Sequence, residues 1–188
     1  MTVTEAVTHD HRELEDYYNN IKKAPDSDSA TRWQNQFVWE LARHSIGEEL
    51  VVYPAFEKYL GDKGKDMAHR DRNDHNQLKV ELKKFQNLGS TDPDFTSTLD
   101  KLFNDLQEHI KSEEADDLPT LEKALTDDVT ADIAKSFERT KMFTPTRSHP
   151  SAPDKPPFET AVGLLAAPID KLADLFRRFP DENTPRVS

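Results

Sequence analysis

The chain contains no cysteine. Disulfides, thiolate metal sites and iron–sulfur ligation by this chain are therefore excluded. Glycine is scarce, at 5 of 188 residues, which suits helices. Basic residues are outnumbered 25 to 36, and the formal net charge is -11. Such a surface disfavours nucleic acid and anionic membranes as partners. No long apolar run is present: the longest, near GLLAAPI, is far too short to span a bilayer. The N-terminal stretch MTVTEAVTHDHRELED is polar from its start, so no signal peptide is visible. A soluble, cytoplasmic protein is expected. Nothing alternates with period two over a useful length, so no strand is expected.

What is present is helical periodicity, broken by turn residues. One pattern runs from about Thr4 to Lys22 and stops before Pro25. A second runs from about Ala30 to Leu60 and ends at Gly61 and Gly64. A third spans about Lys65 to Asn87, and a fourth about Phe95 to Leu125. Four amphipathic helices with short connections predict an all-α, up-down-up-down four-helix bundle over residues 1–127. Residues 128–188 read as a C-terminal extension, beginning with a shorter helix near 129–143. Proline is abundant, at 12, and six of these lie between residues 145 and 168. The stretch FTPTRSHPSAPDKPPF is thus a non-helical, proline-rich arm. An amphipathic seam follows it: Phe158, Val162, Leu165, Ile169, Leu172, Phe176 and Phe179, interrupted at Pro168. Packing along the bundle is expected of this seam, with a homodimer contact or a surface helix as alternatives.

The seams of the four main helices carry the chemistry. The second helix places Phe37, Leu41, His44, Glu48, Val51 and Ala55 on one face. The first aligns Val7, His11, Leu14, Tyr18 and Ile21; the third, Asp71, His75, Leu78, Leu82 and Phe85. The fourth aligns Leu99, Leu102, Leu106, His109 and Glu113. Each seam carries one histidine, and two add a glutamate four residues on. His9 and His69 fall on polar faces, and His149 lies in the arm.

Taken singly, an inward histidine fits a core residue hydrogen-bonded to a carbonyl or hydroxyl. Glu48 and Glu113 could each pair with the histidine upstream. Burying an ionised carboxylate without a partner, however, costs several kcal/mol. Four inward histidines and two inward glutamates fit a metal site better, because positions i and i+4 share a helical face. The set exceeds what one tetrahedral zinc needs and suits two metals sharing bridging carboxylates.

The segments HDHRELEDYY, ARHSIGEELVVYP, RDRNDH and LQEHIKSEEADDLPTLEKAL resemble the hemerythrin-like family, the histidine–histidine–glutamate cation-binding domains. The repeated H-x-x-x-E-E before Tyr53-Pro54 and Leu118-Pro119 is the most specific feature, and the resemblance covers residues 5–125. The arm is similar to the tail of fungal members. The resemblance implies a four-helix bundle holding two iron ions that meet dioxygen, peroxide or nitric oxide. His11, His44, Glu48, His75, His109 and Glu113 are the implied ligands, with Glu48 and Glu113 as bridges. Zinc or manganese would suit the same donors. Asp71 stands where oxygen-carrying members have a further histidine, and Glu114 where they have an aspartate. The six-ligand set is closer to relatives that repair iron centres or respond to nitric oxide. Those often carry a cysteine-bearing N-terminal segment, and this chain has no cysteine.

Around this set, Glu49 and Glu114 are expected beside the ligands or at the surface, and Tyr17, Tyr18 and Tyr53 in packing roles. Gly47 is expected to relieve crowding, and Pro54 to bend the second helix. The function expected is a di-iron protein that binds or senses dioxygen, nitric oxide or iron. A di-iron enzyme acting on peroxide or nitric oxide, and a helical interaction module with a vacant site, are the alternatives.

Overall fold

The computed structural model of the chain describes residues 1–151 and 158–187, with side chains for 1–151 and 166–187. Every regular element among them is helical. α1 spans Val3–Lys22 and α2 spans Ser27–Gly47. A π-helical turn, Glu48–Val52, leads into α3, Tyr53–Phe85. α4 spans Phe95–Ser112 and runs through a second π-helical turn, Glu113–Asp117, into α5, Leu118–Ala124. α6 is Asp127–Lys141 and α7 is Phe158–Asp174. No described helix is long and apolar enough to cross a membrane.

α3 is two helices meeting at Gly61, whose φ of 62° is the left-handed value that glycine tolerates. The chain folds back there. In a straight helix Phe56 and Gly64 would lie about 12 Å apart. Instead, a Cβ on Gly64 would sit 1.9 Å from the Phe56 carbonyl oxygen. Two of the expected helices therefore run from Ser27 to the Gly61 break and from that break to Phe85.

Both π-helical turns precede a proline, Pro54 and Pro119. Proline has no N–H for an ordinary helical bond. The backbone widens ahead of it, and the Tyr53 and Leu118 amides donate to Glu48 and Glu113, five residues back. The bend expected at Pro54 is thus taken up as a wider turn.

The apolar seams merge into two core clusters. One holds Leu14, Phe37, Leu41, Leu82, Phe85, Leu99 and Leu102. The other holds Val7, Tyr53, Phe56, Met67, Leu118, Leu121 and Phe137. On α1, α2 and α3 the seam histidine falls between residues of one cluster and those of the other, and on α4 His109 lies at the end of the first cluster, ahead of Leu118 of the second. The polar layer is therefore sandwiched between two dry layers. Phe137, on α6 of the extension, fills the second cluster with no exposed surface and packs on Gly47. A Cβ at Gly47 would lie 2.9 Å from that ring, so glycine there does relieve a crowded approach.

The arm is bonded in place where it is described. Ser148 donates from its hydroxyl to the Lys79 carbonyl (2.6 Å) and from its amide to Gln86 (2.9 Å). Residues 152–157 lie outside the described residues, as do the side chains of Phe158, Val162 and Leu165. The described part of the last seam corrects the packing expectation. Ile169, Leu172 and Phe176 are exposed, while Ala167 and Asp170 are buried. The reason is the Asp170 carboxylate, which accepts from the Thr146 and Arg147 amides and faces His149 at 3.0 Å. Those bonds fix the rotation of α7 and turn its apolar seam outward. The helix also continues through Pro168 rather than stopping there. Beyond it, the irregular C-terminal segment returns to α2, where Trp33 donates to the Pro185 carbonyl and Arg32 to that of Phe179 (both 2.9 Å).

Candidate metal centre

The six seam residues come together in the polar layer, each at most 3% exposed. His44 Nε2 and His75 Nε2 both lie 3.3 Å from Glu48 Oε2, although they come from different helices. His11 Nε2 and His109 Nε2 lie 3.5 and 4.0 Å from Glu113 Oε2. The His11 and His44 rings sit 4.9 Å apart, and those of His75 and His109 sit 4.8 Å apart. Donors held about 2.1 Å from one ion lie roughly 3–4 Å from each other, so these separations suit shared cations.

The other nitrogen of each ring faces a carboxylate from a neighbouring helix. His11 Nδ1 meets Glu114 at 2.8 Å, His44 Nδ1 meets Asp10 at 3.1 Å, and His75 Nδ1 meets Glu49 at 3.0 Å. His109 Nδ1 faces Asp74 at 3.7 Å, too long for a direct hydrogen bond. The order is cyclic: each of the four helical arms supplies the carboxylate that faces the next arm's imidazole, and three of the four are hydrogen-bonded. A proton on Nδ1 directed at a carboxylate leaves the Nε2 lone pair pointing inward, the arrangement that orients metal-binding histidines.

Further charges brace this ring. Lys79 donates to Glu49 at 2.5 Å, and Arg12 grips Glu114. Lys141, from the extension, donates to both oxygens of Asp10 (2.7 and 2.6 Å) and to Glu40 (3.2 Å). Burial opposes the Lys141 charge, but Glu40 and Asp10 outweigh it and raise its pKa.

Inside the layer the electrostatics are unfavourable without a cation. Burial holds the Glu48 carboxyl well above the usual carboxylate range, and Glu113 pushes it further. Burial lowers His44 well below the ordinary imidazole value and brings His75 down to about 4. Burial likewise opposes the charged form of His109, yet Asp74, Glu113 and Asp71 raise its pKa overall. Among the described residues, His11 Nε2, His44 Nε2 and all four oxygens of Glu48 and Glu113 are buried without a hydrogen-bond partner. Buried polar atoms are normally satisfied, so this concentration fits a shared electrophile. His75 Nε2 and His109 Nε2 are 3.2 Å apart, which two lone pairs tolerate only with a proton or cation between them. Neutral imidazoles and unpaired carboxylates are the donor set that a hard or borderline cation takes.

Other residues resolve differently. Tyr53 is fully buried with its hydroxyl 2.9 Å from His75 Nε2, so it belongs to the centre as well as to the packing. Tyr17 stacks on Trp33 and Tyr18 on Phe103, as packing residues do. Asp71 accepts from Arg70 with one oxygen, while its buried Oδ2 is unpartnered; burial raises its pKa to about 7. His9 and His69 are exposed, and His149 is half-buried against Asp170. Asp10 and Asp74 were missed by seam reading. Each immediately precedes a seam histidine, in the pairs Asp10-His11 and Asp74-His75, but serves another helix. A cleft of about 170 Å³ lined by Asp74, Gln77, Leu78, Asp105, Glu108 and His109 reaches the layer from the surface.

The chain is similar to known proteins. An uncharacterized hemerythrin-like protein of Schizosaccharomyces pombe is 57% identical over 178 residues, covering 95% of this chain and 88% of its own length. That match takes in most of the extension. A DNA nickase of Nostoc is 18% identical over 141 residues, covering 75% of this chain and 39% of that protein. The crystal structure of a hemerythrin HHE cation binding domain-containing protein from Mycobacterium kansasii superposes with a TM-score of 0.64. It is 18% identical and covers 76% of this chain and 88% of that one, a likeness of fold. The hemerythrin HHE cation binding domain family matches residues 2–121. With its histidine–glutamate layer buried inside an all-helical fold, the chain belongs to the hemerythrin HHE cation-binding family.

Proposed function

We propose that the chain is a cytoplasmic, non-haem di-iron protein that binds or senses dioxygen, nitric oxide or iron at a carboxylate-bridged site. The observation that carries this reading is Glu48 Oε2, equidistant at 3.3 Å from imidazoles on two different helices. His11 and His44 would hold one ion, His75 and His109 the other, and Glu48 and Glu113 would be shared. Zinc and manganese suit the same donors, and iron is the reading preferred for two bridged ions in a helical bundle. Iron held there would supply redox chemistry toward diatomic or peroxide ligands. The protein's own part is to fix the imidazole lone pairs of His11, His44 and His75 through Glu114, Asp10 and Glu49, and to flank the layer with two apolar clusters. Burial, and then the charge of Glu48, keeps the Tyr53 hydroxyl protonated. It is therefore a fixed donor toward a small ligand beside His75.

Loading the protein with ferrous iron and recording visible spectra with oxygen, azide and nitric oxide tests this. Two irons per chain and oxo-bridge bands are expected; fewer than two irons would sink it. Tyr53 also favours a second reading, turnover of peroxide or nitric oxide. On that reading Tyr53→Phe keeps two irons but slows peroxide consumption about tenfold or more. Stoichiometric reaction without turnover would return the protein to the binding and sensing role. A melting temperature unmoved by metal removal would favour a helical interaction module instead.

The exposed Ile169 and Leu172 of α7, with Leu175 and Phe176 just beyond it, support a homodimer through the C-terminal helix. Sedimentation is expected to show a dimer that Leu172→Asp converts to a monomer. A wild-type monomer at micromolar concentration would end this reading.

A further inference from the structure

Arg147 is an anomaly in the arm. Its side chain is 9% exposed, yet no carboxylate among the described residues lies within ion-pair distance of its guanidinium. Its one hydrogen bond there runs from Nη2 to Asn35 Oδ1, at 2.7 Å. The two nearby carboxylates are already engaged. Asp170 Oδ2 takes the Thr146 and Arg147 amides and the His149 ring. Asp174 takes the Thr146 hydroxyl and Arg177, both at 2.6 Å. Burial, and then the neighbouring Arg177 charge, brings the Arg147 pKa down to about 10, against the opposing charges of Asp174 and Asp170. A buried guanidinium carries five donors and is ordinarily paired with an anion.

Arg147 also lines a cavity of about 200 Å³ with Lys83, Gln86, Asn87, His149 and Arg177. Three formal cations converge there against one carboxylate, on a chain of net charge -11. Lys83 makes no ion pair among the described residues. The side-chain amide of Asn87 adds a neutral donor to the wall, and that of Gln86, which gives one N–H to the Ser148 carbonyl at 3.4 Å, has a second N–H to offer. With water occupying about 30 Å³ per molecule in the liquid, the space admits a tetrahedral oxyanion and its hydration. The cavity lies between the end of α3, the arm and α7. Gln86 is eleven residues beyond His75, about 16 Å along the helix, so the cavity is separate from the metal layer.

We propose that this cavity is a binding site for a phosphate group, free or as the terminal group of a small phosphate monoester, with Arg147 as its fixed guanidinium anchor. Arg177 and Lys83 complete the charge around the oxygens, and Gln86 and Asn87 donate at the rim. Bidentate guanidinium recognition suits a phosphate better than a halide, because the planar fork matches two oxygens at once. Bound phosphate would hold the arm and α7 against the end of α3.

The test is calorimetric titration of the full-length, iron-loaded chain with inorganic phosphate and, separately, glycerol phosphate, against sodium chloride at matched ionic strength. Saturable phosphate binding with no response to chloride is expected. Tighter binding of glycerol phosphate assigns the monoester, and tighter binding of inorganic phosphate assigns the free ion. Arg147→Met is expected to weaken binding at least tenfold, and Lys83→Met about threefold to tenfold, with the iron content of both unchanged. Should Arg147→Met fail to fold, Lys83→Met at the half-buried wall decides. No saturable binding at millimolar phosphate, an equal response to chloride, or unchanged affinity in Lys83→Met would overturn the proposal. Iron content is read separately, so a failed phosphate titration and a failed di-iron reading are distinguishable.

Discussion

Replacing Glu48 with glutamine is expected to cripple the loaded protein and stabilise the metal-free one. On the di-iron reading, the change removes the carboxylate that faces both His44 and His75, and bound iron should fall from two per chain to one or none. In the metal-free protein the same carboxylate is a burden. It is fully buried, both oxygens lack partners, and Glu113 lies beside it. Its pKa in the folded state is raised above the ordinary 4.5 by burial first and by Glu113 second. A group raised in this way gives its full stability below its unfolded pKa and loses it as pH rises through the folded pKa. Glutamine resembles the protonated form and does not titrate. The stability gap between metal-free Glu48→Gln and metal-free wild type should therefore be small near pH 4.5 and widen toward pH 8. An unsatisfied buried group costs about 1–3 kcal/mol, so the gap should reach about 2 kcal/mol. Urea unfolding with chelator present, repeated across this pH range, measures it. A variant that keeps two irons, or is less stable than wild type at pH 8 without metal, would remove Glu48 from the centre.

Gly64→Ala should be the most damaging glycine-to-alanine substitution among the described residues. The added methyl group would sit 1.9 Å from the Phe56 carbonyl oxygen and 2.4 Å from its carbon. These are backbone atoms and cannot rotate aside. Relief requires the two halves of α3 to separate, which opens the cluster holding Phe56, Met67 and Ala68. The expected loss is about 3 kcal/mol or more, as for severe overpacking. For a chain of this length that lowers the melting temperature by roughly 6–12 °C. Gly61→Ala meets open space and pays only for its positive φ, so the expected loss is about 1–3 kcal/mol. Because the second half of α3 carries His75, Gly64→Ala should lower iron content as well. Thermal melts of the two variants side by side give the ranking, and a Gly64→Ala protein that melts within 2 °C of wild type, about 1 kcal/mol at most, would show that the fold-back is not tight.

The four seam histidines were legible because burial on a helix repeats every 3.6 residues. That period alone separated His11, His44, His75 and His109 from His9 and His69. Glu49 and Glu114 did not read as inward, since ordinary helical spacing puts them off the seam. The π-helical turns ahead of Pro54 and Pro119 bring Glu49 fully inside and Glu114 onto His11. The prolines were visible, but the backbone's response to them was not. The outward rotation of α7 was also hidden, because its apolar period says which residues share a face and not which way that face turns.

The sequence by itself determined the helices, the breaks at Gly61 and Leu88-Gly89, the residue types in the polar layer, and the exclusion of thiolate chemistry. These are local properties, written in spacing and composition. Only the tertiary structure decided that Asp10 serves His44, that Lys141 braces Asp10 from 131 residues away, and that Arg147 faces a cavity among other cations. Such partnerships depend on the relative register of packed helices, which is set by the interlocking of whole apolar faces and has no signature within any one segment.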